Sequence, residues 1–316
     1  NQLMFRMELD ALKSSAISNL NSLMKNEPNI STGLAAIKTL LKTLEISKAT
    51  TAIELDAELD AVVSAMESTD HSSTSIRSAS NLFRKFISLA PADLIDQPDF
   101  VNILNFYNNR GRIFIERVAR SRDLICKFSR PFFAHSTRLL THSYSKVVLS
   151  VLRKAQESGV DLEVFVTESQ PNASGKKMHE ELTKMGINST LVLDSAVGYL
   201  MERMDAVIVG AEGVMETGGI INKIGTLSIA ICAKMMNKPV YVMAESIKFV
   251  KEYPLNQSDI PEEFKYRTSV RAGRKDLSSE HPEVDYTPPS FITLLFTDLG
   301  ILTPAAVGEE LIKLYT

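Results

Sequence analysis

The sequence predicts an α/β protein with an N-terminal all-helical domain over residues 1–130, followed by a Rossmann-like domain with a mostly parallel sheet over residues 131–316. Two observations support this division. The first part carries apolar residues at helical spacing and few glycines. From about residue 138, short apolar runs alternate with helical patterns, as in parallel strands joined by crossover helices.

The helical domain is predicted from apolar residues that recur on one helical face. The segment "FVNILNFYNNR" at residues 100–110 has this pattern. Ser31 is a predicted N-cap, with Ile30 before it as an apolar staple. The segment "LDAELDAVVSAM" has the same one-sided pattern, formed by Leu55, Leu59, Val62, Val63 and Met66.

Six apolar runs in the second half are predicted strands, because continuous Val, Ile and Leu runs are typical of strands buried on both faces. Predicted helices at 145–157, 174–186 and 226–237 lie between them. The charged, proline-rich stretch 253–290 is predicted to be a mobile loop. The predicted strands are "RLLTHS", "LEVFVTES", "STLVLDS", "DAVIVGAE", "PVYVMAES" and "SFITLLFTD".

Composition disfavours several classes of protein. The formal net charge of −3 and the pI of about 6.0 argue against a globally basic nucleic-acid binder. Cys126 and Cys232 are far apart and form no CxxC motif, so we expect no disulfide framework, no metal and no cofactor. No apolar run approaches a membrane span, and the start "NQLMFRMELD" lacks a signal-peptide core. We therefore expect a soluble, cytoplasmic protein without membrane contact.

Polar residues follow the predicted strands directly. The segment 141–143 follows the first strand, 167–170 the second, and Glu212 a later one. The carboxyl ends of parallel strands form the ligand crevice of such sheets, so these segments should meet in one pocket. The alternative is that they are ordinary polar loops whose acids cap helices.

Two segments suit an anionic ligand, although GxGxxG and GxxxxGK[ST] motifs are absent. "NASGKKM" at 172–178 begins a helix with Ser174, Gly175 and two lysines, which suits a phosphate at a helix N-terminus. "NKIGT" at 222–226 offers Asn222, Lys223 and backbone N–H groups. Together they predict a phosphorylated small molecule. The two lysines could instead be solvated surface charges.

His142 has two interpretations. It could be a general base, because histidine titrates near neutrality. A single histidine at a strand end is more often a hydrogen-bonded structural residue, and we favour that interpretation. Ser143 lacks the GxSxG motif of a nucleophile elbow, which disfavours a serine hydrolase.

A basic run with only two acids, Glu116 and Asp123, lies near the end of the helical half. It could be a solvated helix face or a surface for a phosphoprotein or acidic partner. RNA is a third possibility, but aromatic residues do not interleave with the basic ones. The run comprises Arg110, Arg112, Arg117, Arg120, Arg122, Lys127 and Arg130.

The segments "VIVGAEGVMETGGIINKIGT" and "LLTHSYSKVVL" are among several that resemble the regulatory subunits of eukaryotic translation initiation factor 2B. The resemblance runs from about Glu27 to the C-terminus, and motif wording and compact length favour the alpha type. The fold is shared with the methylthioribose-1-phosphate and ribose-1,5-bisphosphate isomerases, which resemble mainly the second half. The segments are "LLTHSYSKVVL", "VTESQPNASGKKM", "VIVGAEGVMETGGIINKIGT", "VDYTPPSFITLLFTDLGILTP" and "EELIKLY".

The resemblance implies a pocket that has lost isomerase chemistry. The isomerases carry a catalytic cysteine in "THC" and an aspartate in "GAD", where this chain has Ser143 and Glu212. Serine is a much weaker acid than cysteine, and glutamate is one methylene too long for the same proton transfer. Gln170 replaces an arginine that contacts phosphate, whereas Asn222 and Lys223 match.

The expected ligand is accordingly a sugar phosphate or nucleotide monophosphate, bound without catalysis. The alternatives are an active isomerase that uses Ser143 and Glu212 in unusual roles, and a metabolite sensor. The candidate ligand-binding residues are Thr141, His142, Ser143, Gln170, Ser174, Gly175, Glu212, Asn222 and Lys223.

The resemblance also implies partners. Such subunits form homodimers through the Rossmann-like domain, bridge the beta and delta subunits, and through them reach gamma and epsilon in a guanine-nucleotide exchange factor. The helical domain is implied to help detect the phosphorylated alpha subunit of initiation factor 2 in the integrated stress response, with no direct nucleic-acid contact. Candidate contacts are Ser31, Lys38, Arg117 and Arg120. The apolar segment "SFITLLFTDLGILTP" also predicts the homodimer, because a sheet edge rarely leaves such a run exposed.

Overall fold

The computed structural model describes residues 2–27, 30–71, 73–88, 100–133, 136–260 and 282–315. The chain divides into two compact units, residues 1–120 and residues 121–313. This division places residues 121–129 with the second unit, ahead of the predicted boundary after residue 130. The domain boundary itself stays a prediction.

The described secondary structure of the first unit consists of helices joined by short turns. Ser31 caps α2 as predicted: its Oγ accepts a hydrogen bond from the Leu34 N–H at 3.2 Å, and Ile30 is buried before it. The predicted apolar face of α3 is buried, with Val63 half-buried at its edge. The described helices are α1 (Gln2–Asn26), α2 (Thr32–Ile46), α3 (Ala52–Glu67), α4 (Ser73–Ser88) and α5 (Phe100–Ala119).

The second unit alternates strands and helices. None of the helices in the described residues of either unit is long and apolar enough to cross a membrane. The described helices of this unit are α6 (Ser121–Ser129), α7 (Lys146–Glu157), α8 (Ser174–Lys184), α9 (Val197–Met201), α10 (Thr226–Met235) and α11 (Val307–Tyr315). The strands are β1 (Ser136–His142), β2 (Asp161–Thr167), β3 (Asn188–Val192), β4 (Ala206–Val209), β5 (Gly213–Met215), β6 (Ile220–Lys223), β7 (Val240–Met243), β8 (Phe249–Val250), β9 (Val284–Thr287), β10 (Leu294–Thr297) and β11 (Gly300–Leu302).

Seven strands form the main sheet in the order β11-β10-β7-β4-β1-β2-β3. All neighbours pair in parallel except β10 and β11, which are antiparallel. The sheet is thus mostly parallel, as the alternation of strands and helices predicts. Each of the six predicted strands contributes a strand to it, which confirms the predicted fold class.

The C-terminal apolar segment lies mainly inside this sheet. β10 pairs with β7 on one side and β11 on the other, and Leu295 and Phe296 are fully buried. Of the two strands in this segment, β11 lies at an edge of the sheet, where Ile301 is 41% exposed. Four of the eight apolar side chains of the segment are buried within the unit's own core, so the exposed apolar edge is smaller than the sequence predicts: the four are Ile292, Leu295, Phe296 and Leu302.

A second, four-stranded sheet has the order β8-β5-β6-β9. β9 pairs antiparallel with β6, with Asn222 opposite Asp285. The prediction of one loop over 253–290 was wrong for residues 284–287, which form β9. The part of that loop at 261–281 lies outside the described residues.

Candidate ligand pocket

Between β1 and β4, the chain reverses the direction in which it adds strands to the main sheet. From β1 the chain proceeds through β2 and β3 to one edge, and then returns to build β4, β7 and β10 on the other side of β1. Ligands of open parallel sheets bind at the carboxyl ends of the strands at such a switch point. The segments 141–143 and 210–212 end the two strands that flank it.

His142 is a buried bridge at this point, 2% exposed. Its Nε2 lies 2.9 Å from the Ile224 carbonyl oxygen, and its Nδ1 lies 2.6 Å from Thr167 Oγ1 and 3.2 Å from Ser169 Oγ. A carbonyl oxygen only accepts, so Nε2 carries the proton and Nδ1 accepts from a hydroxyl. Burial lowers the pKa of His142 and keeps the ring neutral. Both nitrogens are occupied, which supports the structural interpretation over a general base.

Ser143 follows β1 directly and connects it to the start of α8 through a side-chain hydrogen bond. Its N–H donates to Ser169 Oγ at 2.6 Å, and its hydroxyl lies 2.9 Å from Ser174 Oγ. A hydroxyl such as that of Ser174 is no general base at neutral pH. The arrangement therefore positions Ser143 without activating it.

Gly175 allows α8 to start against β2. A Cβ at this position would lie 1.8 Å from the Thr167 carbonyl oxygen, which no side chain tolerates. The chain leading to α8 is fixed by Asp194, whose two carboxylate oxygens accept from the N–H groups of Ser169 and Gln170, each at 2.8 Å. Glycine is thus required here for close approach of helix and strand.

Left-handed backbone conformations concentrate in this pocket. Ser143, Ser169 and Ala173 have φ values of 66°, 58° and 50°. In the described residues the other non-glycine residue with positive φ is Asn237. Such conformations persist only where the surroundings fix them, and they gather at ligand sites. Their clustering supports a built pocket rather than unrelated polar loops.

Asp285 organises the "NKIGT" turn from β9. Its Oδ2 accepts from the N–H groups of Gly225 at 2.8 Å and Leu227 at 3.1 Å, at the start of α10. Asp285 is 5% exposed, and burial raises its pKa to about 7. Within the described part of the chain, its Oδ1 has no hydrogen-bond partner. Buried carboxyls with raised pKa values are typical of functional sites.

Lys223 lies between two carboxylates. Its Nζ is 2.5 Å from Glu283 Oε1 and 3.8 Å from Glu212 Oε1. The same Glu283 oxygen accepts from Asn172 Nδ2 at 3.2 Å. Asn172 begins "NASGKKM" and Lys223 belongs to "NKIGT", so the two predicted anion segments meet at the carboxylate of Glu283.

The structure brings some predicted site residues together and leaves others apart. Asn222 donates to Thr226 Oγ1 at 3.1 Å beneath the turn. Thr141 is buried in the sheet, and its carbonyl oxygen is 3.5 Å from Thr167 Oγ1. Gln170 is exposed, and its side-chain amide donates to Glu168 at 3.3 Å.

Sequence reasoning missed Glu283 and Asp285, because both lie in the stretch predicted as a loop. The signal that could have found them is "VDYT" itself, a short run whose Val and Tyr are buried and pair with β6. Among the residues described here, the His, Cys, Asp and Glu side chains form no group of three or more that could hold a metal ion.

The predicted partner contacts lie in the helical unit. Ser31 serves as the cap of α2, and Lys38 forms an ion pair with Glu27 at 2.8 Å. Arg117 and Arg120 are exposed on and after α5. Their role toward a partner stays a prediction.

Three members of the basic run contact residues elsewhere in the chain, so the run is not one uninterrupted solvated face. Arg110 donates to the Phe86 carbonyl oxygen at 2.8 Å and lies 4.2 Å from the Phe86 ring centroid. Arg112 pairs with Glu45 at 2.9 Å, and in the second unit Arg122 pairs with Glu245 at 3.2 Å. These arginines have structural partners that are far away in sequence.

A helical region followed by an α/β unit with a mostly parallel sheet, and with a candidate ligand site at the switch point, defines a protein with a Rossmann-like unit. The family model for the initiation factor 2 subunit family (IF-2B) matches residues 25–304, and the chain belongs to this family.

Relatives agree with this assignment. Translation initiation factor eIF2B subunit alpha of Caenorhabditis elegans is 59% identical over 304 residues, which cover 96% of this chain and 99% of that protein. The protein of that name from Dictyostelium discoideum is 38% identical over 310 residues, 95% and 96% of the two chains. Ribose 1,5-bisphosphate isomerase of Thermococcus kodakarensis is 30% identical over 274 residues, 84% of each chain. The more similar relatives are initiation-factor subunits and the isomerase is more distant, so the chain is not an enzyme.

A solved structure shows the same fold. A chain in the tetrameric eIF2B beta2–delta2 complex from C. thermophilum matches with a TM-score of 0.73 and 19% identity, over 100% of both chains. At this identity the match carries the fold alone. It confirms the predicted helical region followed by a mostly parallel sheet.

Proposed function

We propose that the chain acts as an alpha-type regulatory subunit of the guanine-nucleotide exchange factor for initiation factor 2, in the cytoplasm. The observation that carries this proposal is the 59% identity to the C. elegans subunit over nearly the whole chain. The pocket geometry agrees, because the hydroxyl of Ser143 faces another hydroxyl instead of a base. The experiment is reconstitution: the purified chain should assemble with the beta and delta subunits, and with gamma and epsilon through them. A chain that stays separate from beta and delta would contradict it.

In this proposal the chain is a homodimer that bridges the beta and delta subunits. The support comes from α10, which is apolar on nearly all faces, as is typical of a helix that is covered all round. Met235 is 77% exposed on it, with Ile231 and Met236 also exposed. α9 packs against α10 and exposes Tyr199. These side chains form an apolar surface suited to a second copy.

Light scattering at micromolar concentration tests the homodimer. The wild type should have the mass of a dimer, and Met235→Glu with Tyr199→Glu should give a monomer, because charges would be buried unpaired. Ile53→Glu on α3 is the matched control, since Ile53 is equally exposed in the helical unit. A monomeric wild type, or dissociation by the control as well, would contradict the assignment of this surface.

The helical unit is further proposed to help bind the phosphorylated alpha subunit of initiation factor 2. Arg117 and Arg120 are exposed, and arginine can meet a phosphoserine with two hydrogen bonds. Charge reversal of both should weaken binding of the phosphorylated partner, more at low salt, without loss of assembly with beta and delta. Arg112→Glu, on the same helix, is the control. Unchanged binding would move the contact elsewhere, with the region from Ser31 to Lys38 next.

The pocket is proposed to bind a sugar phosphate or nucleotide monophosphate as a regulatory ligand. The meeting of "NASGKKM" and "NKIGT" at one point supports an anion-binding site. Saturating ligand should raise the free energy of unfolding by about 1–3 kcal/mol through mass action. Thermal melts with a panel of such ligands should show a shift that Lys223→Ala removes. If millimolar ligand shifts no melt, the pocket has no such ligand.

A further inference from the structure

The carboxylate of Glu283 occupies the place where the two anion segments meet. Its Oε1 lies 2.5 Å from Lys223 Nζ and 3.2 Å from Asn172 Nδ2. A single oxygen thus accepts from an ammonium and an amide that come from separate segments. That is the contact pattern expected of a bound phosphate oxygen.

The backbone of Glu283 is held while its side chain remains partly open. The Ile224 N–H donates to the Glu283 carbonyl oxygen at 2.8 Å, and β9 begins at the next residue. The Glu283 side chain is 31% exposed. The carboxylate can therefore rotate away from Lys223 into solvent without any movement of β9.

The local charge favours release of Glu283 when a phosphate arrives. Glu212 is a second carboxylate 3.8 Å from Lys223, so one ammonium faces two acids. A phosphate monoester carries nearly two negative charges at pH 7 and offers three acceptor oxygens, against one charge on a carboxylate. Phosphate and Glu283 compete for the ammonium, because their negative charges repel and both require the donors of Lys223 and Asn172.

We propose that Glu283 is a built-in competitor that occupies the phosphate subsite of the empty pocket and must swing out when a phosphorylated ligand binds. The inference rests on the proposed ligand pocket and adds a regulatory element to it. Glu283 sets the ligand concentration at which the pocket fills, and it discriminates against weak anions that cannot displace it. Removing its charge should raise the affinity for phosphorylated ligands alone.

Isothermal titration calorimetry on the full chain tests this, with ribose 5-phosphate as ligand and unphosphorylated ribose as the neutral probe. Glu283→Gln should bind ribose 5-phosphate about two to five times more tightly than wild type, the factor expected for one partly exposed ion pair. Ribose binding should stay unchanged. Adding Lys223→Ala to Glu283→Gln should abolish this gain in affinity for ribose 5-phosphate. Glu202→Gln, which removes an exposed charge after α9, should have little effect. Glu283→Ala is a second variant that also lacks the carboxylate.

The outcomes separate the two ideas. Binding by Glu283→Gln but not by wild type would support the competitor role. Equal affinity of wild type and Glu283→Gln, or an equal gain in Glu202→Gln, would overturn it while the pocket stands. If neither wild type nor either Glu283 variant binds, both the competitor and the proposed pocket fail.

Discussion

His142 donates a hydrogen bond from Nε2 to the carbonyl oxygen of Ile224 at 2.9 Å, and so ties the end of β1 to the turn that begins α10. The two residues are 82 positions apart in sequence. The bond therefore fixes the distance between the β1 side of the pocket and the segment that carries Lys223. A change at His142 should therefore loosen the connection between these two sides of the pocket.

We predict that His142→Phe, which keeps an aromatic ring but removes both ring nitrogens, lowers the free energy of unfolding by about 2–3 kcal/mol. The reason is that the Ile224 carbonyl and the Thr167 hydroxyl lose a buried partner. Urea denaturation gives the value. A variant as stable as the wild type would contradict the bridging role.

The same histidine predicts a pH dependence. Burial lowers the pKa of His142 in the folded chain, so as pH falls below about 6.5 the unfolded chain takes up the proton first. The stability that neutral His142 contributes is thus present above that pH and is lost toward lower pH. The loss between pH 6.5 and pH 5 should be smaller in His142→Phe than in wild type, measured by urea denaturation at each pH.

Asp285→Asn should stabilise the chain at high pH. The folded pKa of about 7 is raised above the ordinary value of 3.8 by burial, so stability is lost as pH rises from 3.8 to 7. Asparagine keeps an oxygen for the N–H groups of Gly225 and Leu227 and removes the buried charge. The gain should be about 2–3 kcal/mol larger at pH 8 than at pH 5.

Chemical denaturation at the two pH values measures this difference. Asp161→Asn is the control, because Asp161 is exposed at the start of β2. A gain for Asp285→Asn that is the same at both pH values would show that the buried charge is not its cause.

Two glycines in helices of the second unit give a matched pair. Gly175→Ala would place a Cβ 1.8 Å from the Thr167 carbonyl oxygen and should cost at least about 3 kcal/mol, with loss of ligand binding. At Gly198 in α9, no described atom lies within 4 Å of the position that a Cβ would take. Gly198→Ala should therefore be neutral or stabilise by about 0.5–1 kcal/mol. Equal effects of the two changes in thermal melts would contradict the close approach of α8 to β2.

The main sheet could be predicted because each of its buried strands is a continuous apolar run in the sequence. The parallel topology then brings the carboxyl ends of these strands together. The meeting of Ser143 with Ser174 follows from that rule. Glu283 and Asp285 were missed, because the apolar–polar alternation of "VDYT" spans only four residues between charged and proline-rich segments. Their roles depend on pairing with β6, about 60 residues earlier in the chain.

The partners of the basic run could not be predicted, for a related reason. A count of charges along the chain does not show that Arg112 meets Glu45, 67 residues away, or that Arg110 stacks on Phe86. The apolar run of β10 likewise has the same sequence pattern whether a neighbouring strand or a partner subunit covers it. Long-range partners decide both cases, and they are not encoded in local pattern.

The last prediction concerns isomerase chemistry. The purified chain should not turn over ribose 1,5-bisphosphate or methylthioribose 1-phosphate above background, because the Ser143 hydroxyl faces Ser174 and the Glu212 carboxylate faces Lys223. Ser143→Cys with Glu212→Asp supplies a better acid and a shorter carboxylate, yet it should recover traces at most. Gln170 remains exposed and bound to Glu168, so it places no cation on the substrate phosphate. Turnover by the wild type that Ser143→Ala abolishes would contradict the loss of chemistry, and full activity of the double variant would show that Gln170 does not limit it.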